Sequence, residues 1–465
     1  MRKPESDPPQ SLLRNILLLS WPTVVYTIME TLVGLVDIYF ATYIDNAAVA
    51  SLGFSRQIFL VLMIGTIAIT TGTITLVSQH YGAGRYQSAG AVALHSILLA
   101  CGAGLLLGAI GAVLAPVFLF ALGAQPDVLN HGVPYLRILL GGVVFLMINF
   151  STNGIFRALG DAKTPLKIAL LVNLLNVLFD YLFLFGIGPF PAMGVKGIAV
   201  GTLLARAIGG GIAIWLLCQK TRLVHIDWKH GVHQEIFREI LRIGLPSGFS
   251  GFLRNGARIV FIGILASTTF TTLAVSAAAI GFQIRLFAIM PSLAFQVATA
   301  ALVGQSIGAG RIDRAEAYAW TSVKFCSSLM ALVSMPLLLF PQAIMALFTQ
   351  DPEVTRLGII SLRWIALEQF CNSVSIVASG CLAGAGDTRP SMRYTLASQW
   401  LLMLPLAFVL AEFTEWDVLG AWLAWGVAPA LQTGLTLRRV WSGKWKGLHT
   451  ARPRKTDGEL IDQGG

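Results

Sequence analysis

The sequence predicts an all-α membrane protein, with twelve transmembrane helices in two pseudo-symmetric six-helix bundles. Three observations predict this fold class: an apolar composition, apolar runs of spanning length, and an internal duplication. Hydrophobic residues make up 55% of the 465 residues and charged residues only 12%, and the mean hydropathy is +0.72. Soluble globular domains carry about 25% charged residues. The composition therefore places most of the chain in a lipid bilayer.

Apolar runs recur along the whole chain, and each is long enough for the ~20 residues that a helix needs to cross hydrocarbon. The predicted spans are 16–43, 52–80, 90–120, 133–157, 165–186, 194–217, 240–266, 273–303, 320–348, 357–382, 394–413 and 417–440. The sequence lacks the alternating ten-residue segments of a transmembrane β-barrel. Because a backbone in lipid must satisfy its own hydrogen bonds, the spans are predicted to be helices.

Lys and Arg residues fall mostly on one side of these spans. With the N-terminus in the cytoplasm, most of the 33 Lys and Arg residues lie in cytoplasmic segments. The opposite loops carry acidic residues instead: Asp45, Asp127, Asp351, Glu353, Glu412, Glu415 and Asp417. The positive-inside rule therefore predicts a multi-pass protein of the bacterial inner membrane with both termini cytoplasmic. The net charge of +10 indicates contact with anionic lipid rather than with nucleic acid.

Two separate pairs of segments repeat at one spacing. Residues 75–89 match 301–315 and share Gly-Ala-Gly-Arg, while residues 154–165 match 380–391 and share Gly-Asp, both at an offset of 226. An offset that contains an even number of spans gives two halves of equal orientation, a parallel repeat found in secondary transporters. The repeated motifs lie at predicted cytoplasmic helix ends, so they are interpreted as scaffold.

The charged stretch between the two halves sets the predicted domain boundaries. Residues 1–217 form an N-terminal six-helix lobe, 218–239 a cytoplasmic linker, and 240–442 a C-terminal six-helix lobe. A cytoplasmic tail, 443–465, is expected to be disordered. Two such bundles, related by an axis along the membrane normal, are expected to enclose a central cavity.

Intramembrane carboxylates at matching depth occur only in the first half. Asp37 lies on the predicted first helix, Asn176 and Asp180 lie on one face of the fifth, and Thr202 lies on the sixth. Ionisable residues inside a membrane cost about 2.5–3.5 kcal/mol each on insertion scales, so they are functional candidates. The four side chains offer hard oxygen ligands for Na⁺, and two nearby carboxyl groups can instead share a proton.

The first helix also carries a polar stripe and a proline. Tyr26 and Glu30 lie on the same helical face as Asp37, and Asn173 extends the stripe of the fifth helix. Pro22 removes a backbone hydrogen bond and allows a kink, which would couple occupancy of the site to helix shape. The alternative interpretation is that the proline is merely tolerated and that the carboxylates bind helices together.

Four motifs carry a family resemblance. They are Pro22 with Asp37, "NVLFDYLFLFG" at 176–186, "GIAVGT" at 197–202, and the pair "GIFRALGD" and "GCLAGAGD". With the twelve spans and the parallel duplication, they resemble the multidrug and toxic compound extrusion (MATE) family over roughly residues 12–442. The chain is most similar to the DinF-like branch of that family.

The resemblance implies an antiporter rather than an enzyme. Members export bulky, often cationic, amphipathic drug-like molecules in exchange for H⁺ or Na⁺ by alternating access, with no other cofactor and as monomers. By position, Asp37, Asn176, Asp180 and Thr202 match the cation-site motif, and they would be the metal ligands if the ion is Na⁺; Pro22 matches the bending proline. The candidate substrate-cavity residues are Tyr26, Glu30, Asn153, Asn173, Arg206 and Arg254.

Interior arginines are unusually numerous. They are Arg56, Arg206, Arg254, Arg258, Arg285 and Arg363. Arginine keeps its proton, so each needs a carboxylate, carbonyl groups or water. One interpretation pairs them with Glu30, Glu368 or Asp37. The other makes them a basic wall of the C-terminal lobe that favours anionic or zwitterionic substrates.

A second cation site in the C-terminal lobe is a separate question. Another branch of the family places a cation-binding Glu on the seventh transmembrane span and an Asp on the tenth. Arg254 stands near the first of these positions, which argues against such a site. Glu368, on the tenth predicted span, leaves a second cation site possible.

Two other functions fit parts of the sequence. A flippase for lipid-linked intermediates would use the arginines to hold a pyrophosphate, but such relatives commonly carry additional spans. An intramembrane aspartyl protease would fit "GAGD" at 384–387. However, Asp387 and its repeat counterpart Asp161 both lie at predicted cytoplasmic helix ends, without a Tyr-Asp partner. The sequence has no Gly-rich nucleotide loop with Lys, so nothing in it supports ATP as the energy source.

Overall fold

The structure, a computed structural model, is helical throughout its regular elements. It describes residues 9–219, 224–226, 231–268 and 271–448, and no β-strand occurs among them. Eleven helices in this part of the chain are long and apolar enough to cross a membrane, and a bent pair supplies a twelfth span. The predicted fold class is therefore confirmed.

Seven helices of the described chain make up the first repeat. They are α1 (Pro9–Ala41), α2 (Asn46–Gly82), α3 (Tyr86–Ala121), α4 (Pro126–Gly141), α5 (Val143–Ala158), α6 (Lys163–Phe185) and α7 (Val195–Cys218). The single predicted span 133–157 is bent by 45° between α4 and α5. A Cβ at Gly142 would overlap the Leu203 side chain, so α7 packs directly against this bend.

Eight helices of the described chain follow. They are α8 (Gln234–Ser267), α9 (Thr271–Gly308), α10 (Ile312–Leu339), α11 (Pro341–Ala346), α12 (Pro352–Gly384), α13 (Thr388–Thr395), α14 (Leu404–Glu412) and α15 (Asp417–Trp441). A π-helical stretch, Leu396–Met403, joins α13 and α14 into one span. The predicted span 320–348 is divided at Phe340, because Pro341 has no amide hydrogen with which to continue α10.

The repeated motifs end their helices in the same way in both halves. Gly84 follows α2 with a φ of 74°, and its counterpart Gly310 follows α9 with a φ of 71°. Gly160 and Gly386, the second pair, have φ values of 89° and 82°. Left-handed glycines stop a helix without steric cost while nearby amides bind its last carbonyl groups. The matching conformations support the interpretation of these motifs as scaffold.

The two Gly-Asp aspartates make contacts that fix helix ends. Asp161 accepts hydrogen bonds from the Thr164 amide at 2.9 Å and from the Thr164 hydroxyl at 2.6 Å, at the start of α6. Asp387 forms an ion pair with Arg439 of α15, with Nε and Oδ2 2.7 Å apart. An acid committed to an arginine does not fit the role of a protease aspartate, so these contacts also favour a scaffold.

Helix packing divides the chain into two compact units. Of the described residues, unit 1 contains 9–20 and those within 249–448, and unit 2 contains those within 21–248. The chain passes from one unit to the other inside α1 and inside α8. Both transitions lie within three residues of a helix-internal proline, Pro22 in α1 and Pro246 in α8. A proline is where a long helix bends most readily.

This division differs from the predicted lobe boundary at the linker 218–239. In unit 1, Asn15 near the start of α1 donates a hydrogen bond to the Tyr318 hydroxyl at 2.9 Å. In unit 2, Gly244 of α8 lies against α2, where a Cβ would overlap the Ala68 carbonyl oxygen. The first turns of α1 and α8 thus pack apart from the rest of their own repeat. The boundary between the two units therefore follows these helix contacts and not the predicted linker 218–239.

The start of the tail is also corrected by the structure. Trp445 is fully buried, and its indole N–H donates to a backbone carbonyl at the end of α15. Lys446 forms an ion pair with Glu316 at 2.6 Å. The chain is therefore packed beyond 443, where the sequence predicts disorder to begin, and the rest of the tail, 449–465, lies outside the described residues.

The loop between α1 and α2 is held by Asp45. Its carboxylate accepts a hydrogen bond from the Ala48 amide at 2.6 Å, which caps α2, and its other oxygen lies 3.1 Å from His131 Nε2. The hydrogen bond from Ala48 holds the pKa of Asp45 below its ordinary value. The cap therefore contributes stability at neutral pH, and that contribution is lost as the pH falls through the lowered pKa.

Replacing Gly244 with Ala is expected to destabilise the protein, because the added methyl group would overlap the Ala68 carbonyl oxygen. Overpacking of this kind costs about 1–3 kcal/mol. The measurement is the thermal unfolding midpoint of the purified protein in detergent. Gly263→Ala on the same helix is the control, since nothing lies within 4 Å of its Cβ. Equal midpoints for the two variants would contradict the close approach of α8 and α2.

Candidate functional site

The four predicted cation-site residues lie together in unit 2. Asp37 belongs to α1, Asn176 and Asp180 to α6, and Thr202 to α7, and none is more than 6% exposed. Asn176 Nδ2 lies 3.0 Å from Asp180 Oδ2, 3.1 Å from Thr202 Oγ1 and 3.4 Å from Asp37 Oδ1. Thr202 Oγ1 lies 3.4 Å from both carboxylate oxygens of Asp37. One amide therefore joins three helices around a single buried point.

Local sequence explains how Asp180 reaches this point. Asn176 and Asp180 are one turn apart on α6, so they share a helical face. On α7, a Cβ at Gly201 would overlap the Asp180 carboxylate and would lie 2.9 Å from the Asp180 backbone nitrogen. Gly197, one turn earlier, lies as closely against the Phe183 backbone. Small residues on α7 thus let α6 approach closely enough for its carboxylate to enter the site.

The oxygen atoms of the site fit a small cation. The carboxyl groups of Asp37 and Asp180 are bridged by Asn176 Nδ2, which contacts an oxygen of each. Asp180 Oδ1 and Asn176 Oδ1 are buried and have no hydrogen-bond partner among the described residues. Such free acceptors, beside the Thr202 hydroxyl, suit either a proton or a hard cation such as Na⁺.

Tyr135 on α4 is a site residue that the sequence analysis missed. It is buried, and it lies close to both Asp37 and Asp180. A neutral hydroxyl beside two acids can donate to whichever carboxylate is charged. A comparison of depth could have found it, because Tyr135 enters the predicted span 133–157 from the same outer side on which Asp37 lies.

Four of the six predicted substrate-cavity residues form a second polar network in unit 2. Arg206 Nη1 and Nη2 each lie 3.3 Å from Glu30 Oε2. The Tyr26 hydroxyl accepts a hydrogen bond from Asn153 Nδ2 at 2.8 Å and donates one to Glu30 Oε1 at 3.4 Å. The ion pair neutralises Arg206, in agreement with the pairing interpretation of the interior arginines.

Arg157 extends this network, although it is not among the residues that the sequence predicts for the cavity. Its guanidinium carbon lies 4.4 Å from the centroid of the Tyr26 ring, and the residue is 8% exposed. Its Nε and Nη2 atoms have no hydrogen-bond partner among the described residues. Because arginine stays charged, the network contains two cations and one carboxylate, that of Glu30.

The remaining predicted residues do not join either group. Asn173 donates to the Ala169 carbonyl of its own helix at 2.8 Å and bonds to none of the other cavity residues among those described. Arg254 belongs to unit 1, whereas the other cavity residues belong to unit 2. Pro22 lies inside α1, which runs unbroken from Pro9 to Ala41, so the hinge at this proline stays a prediction.

In unit 1, the predicted second-site candidate Glu368 is engaged by an arginine. Arg285 Nε lies 2.8 Å from Glu368 Oε2, and Arg285 Nη2 lies 2.8 Å from Glu368 Oε1. Both carboxylate oxygens are thus used in a bidentate ion pair. No group of three or more His, Cys, Asp or Glu side chains that could hold a metal ion occurs in the described part of the chain. The contacts of Glu368 therefore favour the pairing interpretation over a second cation site.

Comparison with known proteins assigns the family. The MatE family model matches residues 22–182 and 246–409, which together are more than half of the chain. The chain belongs to the MatE family, and relatives of the chain are named as probable multidrug resistance proteins or as a transporter, and not as enzymes. Its placement in the DinF-like branch stays a prediction.

Two relatives illustrate this similarity. A protein of Thermotoga maritima named probable multidrug resistance protein NorM is 27% identical over 449 residues, which is 95% of each chain. The uncharacterized transporter YisQ of Bacillus subtilis is 24% identical over 436 residues, which is 92% of this chain and 94% of the other. The similarity therefore extends over nearly the whole of both proteins.

Solved structures share the fold. A MATE protein in the bent conformation superposes with a TM-score of 0.86 at 22% identity, covering 94% of this chain and 98% of the other. A MOP superfamily transporter from Pyrococcus furiosus gives a TM-score of 0.85 at 21% identity, covering 95% and 98%. At these identities the matches show the fold alone.

Gly201→Ala is expected to displace Asp180, because the added methyl group would overlap its carboxylate. Because the sequence predicts Asp180 to be a cation-coupling residue, its displacement is expected to lower ion-driven efflux by a factor on the order of 10–100. The measurement is efflux of a fluorescent compound from proteoliposomes, at matched amounts of folded protein. Gly211→Ala is the control, since it lies on the same helix and nothing is within 4 Å of its Cβ. An unaltered rate in Gly201→Ala would contradict this placement of Asp180.

Proposed function

We propose that the protein is a monomeric inner-membrane exporter, with both termini cytoplasmic, that exchanges H⁺ or Na⁺ for small amphipathic molecules by alternating access. The observation that carries the proposal is the buried meeting of Asp37, Asp180, Asn176 and Thr202 on three helices. The names of relatives as probable multidrug resistance proteins support the export of small molecules.

The four residues act as the coupling site. When the site holds no ion, charge on both Asp37 and Asp180 would be repulsive and poorly solvated. A bound proton or Na⁺ removes most of the free-energy cost of this repulsion and poor solvation. Because α1, α6 and α7 each contribute oxygen atoms, the helix positions that suit the neutral site differ from those that suit the charged one. Ion binding therefore shifts the balance between conformations.

Two shared helices link this site to the second polar network. On α1, Glu30 and Asp37 are two turns apart; on α7, Thr202 and Arg206 are one turn apart. A movement of either helix changes the ion site and the Glu30–Arg206 pair together. Such coupling is reciprocal, so bound ion and bound substrate alter each other's affinity. A bend at Pro22 would allow α1 to respond to the ion.

The coupling ion can be identified by imposing one gradient at a time. Purified protein in proteoliposomes is given either a pH gradient without Na⁺ or a Na⁺ gradient at equal pH, and transport of a fluorescent amphipathic compound is followed. Transport under one gradient alone identifies that ion. Transport that is equal with and without either gradient would contradict ion exchange.

Asp37→Asn and Asp180→Asn should each reduce gradient-driven efflux to the level of empty vesicles, because an amide can neither bind a proton nor supply the negative charge for Na⁺. The thermal unfolding midpoint verifies that each variant is folded. Asp127→Asn is the matched control, since Asp127 is exposed in the first turn of α4. Full driven efflux in either site variant would overturn the assignment of the coupling site.

A further inference from the structure

Three neighbouring arginines of unit 1 lie within its membrane-spanning helices α8 and α9. Arg254 and Arg258 lie one turn apart on α8, and Arg285 lies on α9. Arg254 is about 30 Å along the helix from the start of α8 and about 20 Å from its end. These distances place it far from both helix ends, in the hydrocarbon region of a bilayer whose core is about 30 Å thick.

Among the described residues, the one carboxylate shown in contact with these arginines is that of Glu368, and both of its oxygens are already bonded. Glu368 is about 24 Å from each end of α12 and is 2% exposed. Both of its oxygens bind Arg285 at 2.8 Å. The Arg285 guanidinium also lies 5.7 Å from the centroid of the Trp425 ring. The Arg285–Glu368 pair therefore has no net charge, and both carboxylate oxygens of Glu368 are already bonded to Arg285.

Arg254 and Arg258 have no counter-charge in the part of the chain that the structure describes. Neither forms a hydrogen bond or an ion pair with any other described residue. Both lie close enough to Arg285 to be repelled by it. Both residues are partly exposed. Because arginine stays protonated and an uncompensated charge in the membrane is costly, the pair requires an anion or water.

An aromatic side chain from another helix packs against the same stretch of α8. Trp400, in the π-helical stretch Leu396–Met403, donates its indole N–H to the Leu253 carbonyl at 3.0 Å. Its ring would lie 3.1 Å from a Cβ at Gly256, so the glycine admits the ring against α8. The ring thus packs beside the turn that carries Arg254. π-Helical turns inside α-helices occur frequently at functional sites.

We propose that unit 1 binds a small amphipathic organic anion, whose acidic group is held by Arg254 and Arg258 and whose apolar body contacts Trp400. Carboxylate, sulfonate and phosphate groups match the planar donor pattern of a guanidinium and form charge-assisted hydrogen bonds with it. A purely cationic compound meets three arginines and a single, already paired carboxylate. This inference rests on the proposed export function and names its substrate class, which differs from the cationic substrates that the family resemblance implies.

Two dyes that share one ring system test this assignment. Fluorescein is an anion and rhodamine 6G a cation at neutral pH, and both are xanthenes. Their binding to the purified full-length protein in detergent is measured by fluorescence anisotropy. We expect fluorescein to bind more tightly than rhodamine 6G. The reverse preference in the unmodified protein would overturn the proposal without the use of any variant.

Substitutions then assign the contact. Arg254→Gln and Arg258→Gln should each weaken fluorescein binding about 10-fold or more and should not weaken rhodamine 6G binding. Arg254→Lys, which keeps a positive charge, should retain part of the affinity. Arg356→Gln is the control, because Arg356 is 54% exposed and pairs with Glu353 within the first turns of α12. Unchanged fluorescein affinity in folded Arg254→Gln and Arg258→Gln would reject the site.

A lipid-linked phosphate carries the same kind of acidic group as a small organic anion. A competition experiment therefore distinguishes these two kinds of ligand. Dodecyl phosphate and undecaprenyl phosphate are each added to the fluorescein complex. Displacement by dodecyl phosphate at equal or lower concentration supports a small anion. Displacement by undecaprenyl phosphate at a concentration at least tenfold lower would overturn the small-molecule source and assign a lipid-linked one.

The two proposals can fail separately, because these binding measurements need no ion gradient. If the dyes show no preference for the anion but efflux still depends on Asp37, the anion assignment alone is rejected. If fluorescein binding depends on Arg254 while Asp37→Asn is fully active in driven efflux, ion coupling at Asp37 is rejected and the anion site is retained.

Discussion

The burial of two carboxyl groups beside each other constrains the whole of unit 2. Asp37 and Asp180 are both buried and share the Asn176 amide, so their charges must be compensated by a proton, an ion or hydrogen-bond donors. Asn176 and Thr202 supply part of that compensation from α6 and α7. Gly201 is required for it, because any side chain there would exclude the Asp180 carboxylate. The charge compensation at Asp180 therefore depends on the small residue that packs beside it on α7.

The two repeats keep the same scaffold and carry different charges. The glycines that end α2 and α9 have nearly equal φ angles, since the geometry of a helix end allows few solutions. By contrast, the counterpart of Asp37 is Gly263, and the counterpart of Glu368 is Gly142, where α4 and α5 bend while α12 continues. Unit 2 has acids that suit a small cation, and unit 1 has arginines in excess over acids.

Much of the fold follows from local sequence, because hydropathy over about 20 residues reports membrane insertion directly. The limits were less accurate: α8 begins at Gln234 and not at 240, since charged residues remain helical outside the hydrocarbon. Helical periodicity also placed Asn176 beside Asp180 on one face. It could not find Tyr135 or the buried position of Arg157, because each has its polar partner on a distant helix.

By itself, the sequence determined the class of protein, the twelve spans, the duplication and the set of polar residues in the first half. These are consequences of composition, period and repetition, which require no knowledge of contacts between helices. Only the tertiary structure decided which charges are paired: Arg206 with Glu30 and Arg285 with Glu368, while Arg254 has no partner among the described residues. The physical reason is that an ion pair depends on distances of about 3 Å between helices far apart in the chain, and a linear pattern does not contain those distances.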